Sequence, residues 1–378
     1  MAGAFHDSQE EPRACRTARV PRPDGPRLVS APEGLDLPKL QAFLEEQVPG
    51  TGELRAELIA GGRSNLTYRL TARSGAGAGI GTDGTADWVL RRPPLGGLTP
   101  SAHDMEREYR VVDALQGTDV PVAPTVVHTE DTDVIGAPFA VVGHVAGQVL
   151  RSRGDLDALS DDDVHRCANA LVDTLVALHA VDPASVGLES FGRPSGYLER
   201  QVKRWYDQWG RVATRELPDV DRLHGKLADA CPADSGSAIV HGDFRVDNVI
   251  LDPGDVGVVR AVVDWEMATL GDPLADIALH VVYSDPAFDP VLGGEAASTS
   301  PRMPSREHLI ERYAAGSGRD VGNLSFALGL GYFKIAVIAE GIHARYVAGH
   351  TVGSGFETVG EAVPLLIAAG LDALAAQD

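Results

Sequence analysis

A stretch near the middle of the chain carries the side chains best suited to chemistry: Ile239-Val240-His241-Gly242-Asp243-Phe244-Arg245-Val246-Asp247-Asn248-Val249-Ile250. One hydrophobic β-type run leads into a polar turn, and a second such run leaves it. Sixteen residues after Asn248, a further apolar run ends in Asp264-Trp265-Glu266. Polar groups held between rigid strands are where catalytic side chains usually sit. A carboxylate followed five residues later by an amide, with a second carboxylate beyond a hairpin, suits phosphoryl transfer. One carboxylate accepts the proton of an attacking hydroxyl, while the amide oxygen and the other carboxylate hold magnesium. Asp and Asn also favour ordinary turns, and it is their joint spacing between strands that favours the chemical reading.

These side chains need elements to position them. Residues 1–34 are rich in Pro and Arg without periodicity and read as a flexible tail. Leu37, Leu40, Phe43, Leu44 and Val48 recur at helical spacing. Glu53 to Leu70 reads as two strands about the turn Gly61-Gly62, residues 73–87 as a low-complexity hairpin excursion, and Trp88-Val89-Leu90 as a strand. A helix bearing Met105, Val111, Val112 and Leu115 follows, then strand-like runs at Val120 to Val127 and Pro138 to Val145. Beyond Gly147 the pattern turns helical. Asp161 to Leu178 is amphipathic, with Ser160 as N-cap and acids in its first turn. Tyr197 to Trp209 is a second helix, Ala238 to Val240 and Val258 to Val263 are short strands, and the chain from Asp276 to Leu374 is largely helical around a loop at 285–305. Cys167 falls on a core face, His179 reads as a C-terminal cap, and Asp272 and Asp276 read as an N-cap and a loop brace. The expected class is α+β: a tail over 1–34, a small β-rich lobe over 35–145 and a larger helical lobe over 146–378, with a hinge near 143–147.

The 378 residues include 33 Lys and Arg against 54 Asp and Glu, a formal charge of −21. No run of the sequence supplies a basic face to displace phosphate counterions, so nucleic acid is an unsuitable partner, and anionic membranes are disfavoured for the same reason. Three cysteines without a CxxC pair argue against a disulfide framework and for a reducing compartment. The N-terminus has no apolar signal segment. The longest apolar stretch, Phe326 to Ile338, contains Lys334 and two glycines and is short for a bilayer. A cytoplasmic protein is expected; nothing in the sequence speaks to its oligomeric state.

The segment from His241 to Asn248 resembles the H-x-D-x-x-x-x-N catalytic loop of kinases, in the H-G-D form of aminoglycoside phosphotransferases and choline kinases, with Asp264-Trp265-Glu266 in the place of D-F-G. Gly61 to Tyr68, Val89 to Pro94, Arg107 to Arg110, Gly196 to Val202 and Gly271 to Asp276 are similar to the subgroup fused to acyl-CoA dehydrogenases. The matches run in order from about residue 58 to about residue 348.

That resemblance implies a protein-kinase-like bilobal fold and an ATP- and magnesium-dependent phosphotransferase acting on a small-molecule hydroxyl. Asp243 would be the base, Asn248 and Asp264 the magnesium ligands, and Arg245 a group against the transferred phosphate. His241 would orient the loop. Gly62, Arg63, Ser64 and Asn65 would cover the phosphates, and the backbone of Gly143 and Val145 would pair with adenine. Arg91 stands where kinases place a lysine, with Glu108 as its partner acid and Glu106 as the alternative. Magnesium together with Arg63, Arg91 and Arg245 would give a locally positive pocket inside an acidic protein. The segment Leu324 to Gly349 would line the acceptor pocket, with Lys334, Glu340, His343 and Arg345 as polar candidates. The subgroup suggests a hydroxyacyl compound or hydroxyacyl-CoA as acceptor, and the wider family an aminoglycoside or other antibiotic. The missing lysine motivates a second reading, a nucleotide-binding pseudokinase. A metal-dependent phosphoesterase built on His241, Asp243 and Asp264 is a third.

Overall fold

The computed structural model describes residues 32–61, 65–73, 85–95, 104–292, 294–351 and 355–376. Most of the expected tail, the turn residues Gly62, Arg63 and Ser64, and the centre of the 73–87 excursion lie outside them.

The first elements are helix α1 (Leu37–Gln47), capped by Asp36, and strands β1 (Glu53–Gly61), β2 (Leu66–Arg73) and β3 (Thr85–Arg92). Helix α2 (Met105–Ala114) and strands β4 (Thr125–Thr129) and β5 (Phe139–Gly143) complete a five-stranded antiparallel sheet of order β1-β2-β3-β5-β4. The expected strand over Val120 to Val127 is displaced: it begins only at Thr125. Pro121 and Pro124 offer no N–H to a ladder, and Val122 makes just an isolated bridge to Val262.

Strand β3 alternates strictly. Ala86, Trp88, Leu90 and Arg92 are buried beneath the sheet, so Val89 and Arg91 face the other way. Helix α2, capped by Asp104, buries Met105, Glu108, Val111 and Val112 on one stripe. Its Val111, Val112 and Leu115 pack into the larger apolar cluster, which reaches to Leu374, and not into the cluster beneath the sheet. Arg107 of α2 also donates to the carbonyl of Ala268 at 3.1 Å. The helix that carries Glu108 is therefore anchored in the helical lobe.

The rest of the chain holds α3 (Arg153–Asp157), α4 (Asp161–Ala180), α5 (Tyr197–Val212), α6 (Pro218–Asp229), β6 (Ala238–Val240), β7 (Val249–Leu251), β8 (Val259–Val262), β9 (Thr269–Gly271), α7 (Pro273–Val282), α8 (Asp289–Leu292), α9 (Arg306–Ser317), α10 (Leu324–Val347) and α11 (Val359–Ala375). Ser160 caps α4 by accepting from the N–H of Asp163, and Cys167 is fully buried on its core face. Helix α10 packs on α5, α7 and α11. It has 24 residues, and an 18-residue window of it has a mean hydropathy of 1.4, long and apolar enough to cross a bilayer and more than the apolar stretch alone suggested, yet 83% of that window is buried inside the fold. Gly329 is one reason it packs so closely: a Cβ there would lie 2.9 Å from Leu374.

Candidate active site

The catalytic-type loop joins two separate ribbons. β6 pairs with β9, Val240 opposite Thr269, while β7 pairs with β8, Val249 opposite Val262. His241, Asn248 and Asp264 thus emerge from adjacent strand ends. Asp276, in the first turn of α7, braces the loop by accepting the N–H of His241 at 2.7 Å and of Gly242 at 2.8 Å. Burial alone would raise its carboxyl, but the bond from His179 and the proximity of His241 outweigh this and hold it below the usual carboxylate range. Gly242 has φ +77°, and a Cβ there would stand 2.8 Å from the carbonyl oxygen of Met267.

His179 does not cap its helix through its ring. That ring is buried, with Nδ1 2.7 Å from the Tyr313 hydroxyl and Nε2 3.3 Å from Asp276, because the last turn of α4 faces inward. His241 is also fully buried. Its Nε2–H donates to the carbonyl of Val263 at 3.0 Å and its Nδ1 accepts the N–H of Asp243 at 3.2 Å, which selects the Nε2–H tautomer. With both ring nitrogens committed to the backbone, His241 orients the loop and has no free nitrogen for a reacting atom.

Asp243 is held on both oxygens. The Tyr283 hydroxyl donates to Oδ1, and Asn248 Nδ2 donates to Oδ2 at 3.2 Å and to the backbone carbonyl at 2.9 Å. Asn248 thereby spends its nitrogen on Asp243 and keeps its amide oxygen for another partner. Arg245 lies 3.6 Å from Asp243 and 3.2 Å from Asp247, with its guanidinium 5.6 Å from the Tyr283 ring centroid. Tyr283 was not singled out from the sequence; it sits 40 residues from Asp243 at the end of an apolar helix. Tyr283→Phe keeps the packing against Phe288, 4.7 Å between ring centroids, and deletes only the donor. A fall in kcat of roughly tenfold or more is expected, with nucleotide affinity unchanged. Steady-state kinetics set beside nucleotide titration check it.

Arg91 bridges the lobes. Its guanidinium pairs with Glu108 at 2.7 Å and with Asp264 at 2.9 Å. Glu108 is buried and Glu106 exposed, so the helix register brings Glu108 to the arginine. Burial pushes the Glu108 carboxyl up even against the pull of Arg91. Arg92, on the opposite face, is buried against the carbonyls of Pro93 and Ile135 at 3.1 and 3.0 Å. Asp264 has φ +65°, the single left-handed non-glycine residue among those described, a strained conformation of the kind that clusters at functional sites.

Of the groups expected to make a positive pocket, the described arginines supply no net positive charge by themselves. Arg63 lies outside the described residues, and Arg91 and Arg245 are each shared between two carboxylates, which leaves one net negative formal charge in each cluster. Glu266 adds to it: partial removal from water and then the Asp264 and Glu108 carboxylates push it up to about 7.

A cleft of about 640 Å³ lies beside these groups. Val89, Val142, Val145 and Ile250 make apolar walls, and Arg91, Asn248 and Asp264 bring polar groups to it. Asn65 also lines it. Gly143 also lines it, and its N–H is taken by Pro124 O at 2.7 Å and so is not offered to the cleft. Of the acceptor-pocket candidates on α10, Lys334 reaches the loop, donating to Gly242 O at 2.6 Å. Glu340 does not line such a pocket. It is fully buried and accepts from the N–H and hydroxyl of Thr214, at 2.9 and 2.6 Å, and from Arg215 at 3.1 Å. The His343 ring faces Gly360, and Arg345 is exposed.

The sheet, the two ribbons and the carboxylate-amide set agree with a match of residues 55–316 to the family model described as the phosphotransferase enzyme family, APH. The chain belongs to this family. Human acyl-CoA dehydrogenase family member 11 is 34% identical over 324 residues, covering 83% of this chain and 40% of that protein, so the chain spans about two fifths of that relative's length. A crystal structure from Ralstonia eutropha JMP134, provisionally named an aminoglycoside phosphotransferase, is 30% identical with a TM-score of 0.75, covering 90% of this chain and 98% of the other. The aminoglycoside phosphotransferase APH(4)-Ia, solved with ADP and hygromycin B, is 15% identical with a TM-score of 0.54 over 89% of this chain and 97% of that one, a likeness of fold.

In this phosphotransferase-family chain the donor set beside the cleft fits a hard divalent cation. It is all oxygen: the Asn248 amide and the Asp264 carboxylate, with Glu266 adjacent. The surrounding clusters carry excess negative charge, and Glu108 Oε2 is buried without a hydrogen-bond partner. Among the described residues no group of three or more His, Cys, Asp and Glu side chains is arranged to hold a metal alone. Magnesium usually takes one or two protein ligands and completes its shell with water and phosphate oxygens.

Proposed function

We propose that this chain is an ATP- and magnesium-dependent phosphotransferase that phosphorylates a hydroxyl group of a small molecule in the cytoplasm. The observation that carries the reading is the convergence of Asp243, Asn248, Asp264 and Arg91 from two ribbons and the sheet, beside a cleft of nucleotide size. ADP and AMP-PNP in the APH(4)-Ia structures support an adenine nucleotide as donor. Gly62, Arg63, Ser64 and Asn65 would cover its phosphates, and the Gly143 carbonyl and Val145 N–H would meet the base.

Asn248 and Asp264 would hold magnesium, which when bound neutralises charge on the transferred phosphate. Asp243, fixed by Tyr283 and Asn248, orients the acceptor hydroxyl and takes its proton. The acceptor oxygen bonds to the γ-phosphorus as the bond to the bridging oxygen breaks, and ADP leaves with that electron pair. Arg91 keeps Asp264 in place through the pair with Glu108, and Arg245 answers the negative charge of Asp243 and Asp247 beside the reacting atoms. The relatives' name, acyl-CoA dehydrogenase, supports a hydroxyacyl compound or hydroxyacyl-CoA as acceptor; the Ralstonia neighbour's name supports an aminoglycoside. Side-by-side incubation with hydroxyacyl-CoAs and aminoglycosides under magnesium and ATP tests the choice. Phosphorylation within the first set is expected. Turnover of aminoglycosides alone contradicts the acceptor, and nucleotide binding without any turnover favours the pseudokinase.

A further inference from the structure

A second, smaller pocket of about 30 Å³ meets the catalytic loop at Gly242, the residue before Asp243. It lies between α5, α7 and α10 and is lined by Tyr197, Gln201, Trp205, Asp276 and Lys334. It shares no lining residue with the nucleotide-sized cleft. It meets the loop on a side away from that cleft, at the residue next to Asp243.

Asp276 apart, its polar side chains include Lys334, Gln201 and Trp205 as donors. Lys334 spends one of its three N–H groups on Gly242 O at 2.6 Å and pairs with no carboxylate among the described residues. Removal from water works against its charge, more than Asp243 and Asp276 restore. An ammonium that makes no direct ion pair keeps two N–H groups to offer a ligand. The ammonium lies 5.6 Å from the Trp205 ring centroid, and the guanidinium of the exposed Arg204 lies 5.5 Å from the same ring. Trp205 Nε1–H donates to Gln201 Oε1 at 3.2 Å, which fixes that amide with its NH2 free to donate. Asp276, the one carboxylate in the lining, is spent on the N–H groups of His241 and Gly242 and on His179. Helix α5 carries Arg200, Lys203, Arg204 and Arg211 against Glu199 and Asp207, a positive helix in a chain of formal charge −21.

We propose that Lys334, Arg204 and Gln201 form an anion subsite for the phosphoryl acceptor, so that the acceptor is a hydroxyl compound carrying a carboxylate or phosphate group and not a polycation. The proposal rests on the phosphotransferase reading and narrows it. A free hydroxy acid and the phosphates of an acyl-CoA both present this chemistry.

The test follows ADP formation under saturating magnesium and ATP with four acceptors: β-hydroxybutyrate, β-hydroxybutyryl-CoA, the neutral butanediol and the cationic kanamycin. The wild-type chain is expected to use at least one of the two anions better than butanediol and kanamycin, and whichever anion leads identifies the source of the charge. Arg204→Met, an exposed position with no bond to the loop, is expected to raise KM for that anion several-fold, on the order of tenfold, with little change for butanediol, and Lys334→Arg to retain most of the preference. Butanediol or kanamycin used as well as both anions, or Arg204→Met shifting KM for anion and diol equally, overturns the subsite and leaves Lys334 a prop for the loop. Slow ATP hydrolysis with no acceptor preference also overturns it while sparing the phosphotransferase reading. Absence of any magnesium-dependent ATP consumption removes that reading itself.

Discussion

Asp243→Asn is expected to cut phosphoryl transfer by roughly a hundredfold or more while the nucleotide still binds. The substituted amide is nearly isosteric, so the loop held by Asp276 and His241 has no reason to move. What is lost is the proton acceptor: an amide cannot take the hydroxyl proton, and its NH2 presents a donor where Tyr283 and Asn248 both donate. Loss of general-base catalysis is worth roughly a hundredfold to ten-thousandfold in kcat. Nucleotide affinity, set by the separate cleft, is expected to stay near the wild-type value. Paired measurements of kcat and of AMP-PNP affinity by calorimetry check both halves. A variant that keeps most of its turnover would assign the base elsewhere.

Arg91→Met has the second large effect, and it falls on stability as well as on turnover. Glu108 is buried against Arg91, and Asp264 shares the same guanidinium, so removing the cation strands two carboxylates beside each other. Breaking a buried pair from one side costs about 3–5 kcal/mol, much of it the penalty of the uncompensated charge left behind. Arg91→Met combined with Glu108→Leu removes that charge and is expected to recover most of the stability without recovering transfer, because Asp264 remains unsupported. Arg91→Lys keeps a charge but loses the planar fork that reaches two acids at once, and it should fall between the two. Urea unfolding and ADP production on the three variants separate the structural share from the catalytic share. Equal stability of Arg91→Met and the double variant would contradict the account of the pair.

Much of this site is legible in the sequence because its parts are local. His241 to Asn248 are contiguous, and the β-type runs on either side are short and apolar. The β3 pleat separates Arg91 from Leu90 and Arg92, and Glu108 interrupts the apolar stripe of Met105, Val111 and Val112 on α2. What is not legible depends on distant partners. Tyr283 meets Asp243 only through the packing of α7, and no local pattern marks it. Strand β9 is three residues long, and its pairing with β6 follows from the fold. The run from Val120 to Val127 looks like a strand by composition, yet two prolines remove the donors it would need. Glu340 sits on the helix expected to line the acceptor pocket, but only the turn at Thr214 and Arg215 shows that it holds the fold. The sequence shows the arginines of the expected positive pocket but not the carboxylates that Arg91 and Arg245 are each shared between, which leave any positive charge there to the metal.

The most direct test of the central claim quantifies ADP and phosphorylated acceptor in the same reaction, with β-hydroxybutyryl-CoA, ATP and magnesium. The account predicts equal amounts of the two products, dependence on magnesium, and loss of both in Asp243→Asn. Nucleotide that binds in the presence of magnesium and acceptor but is never converted to ADP would contradict it.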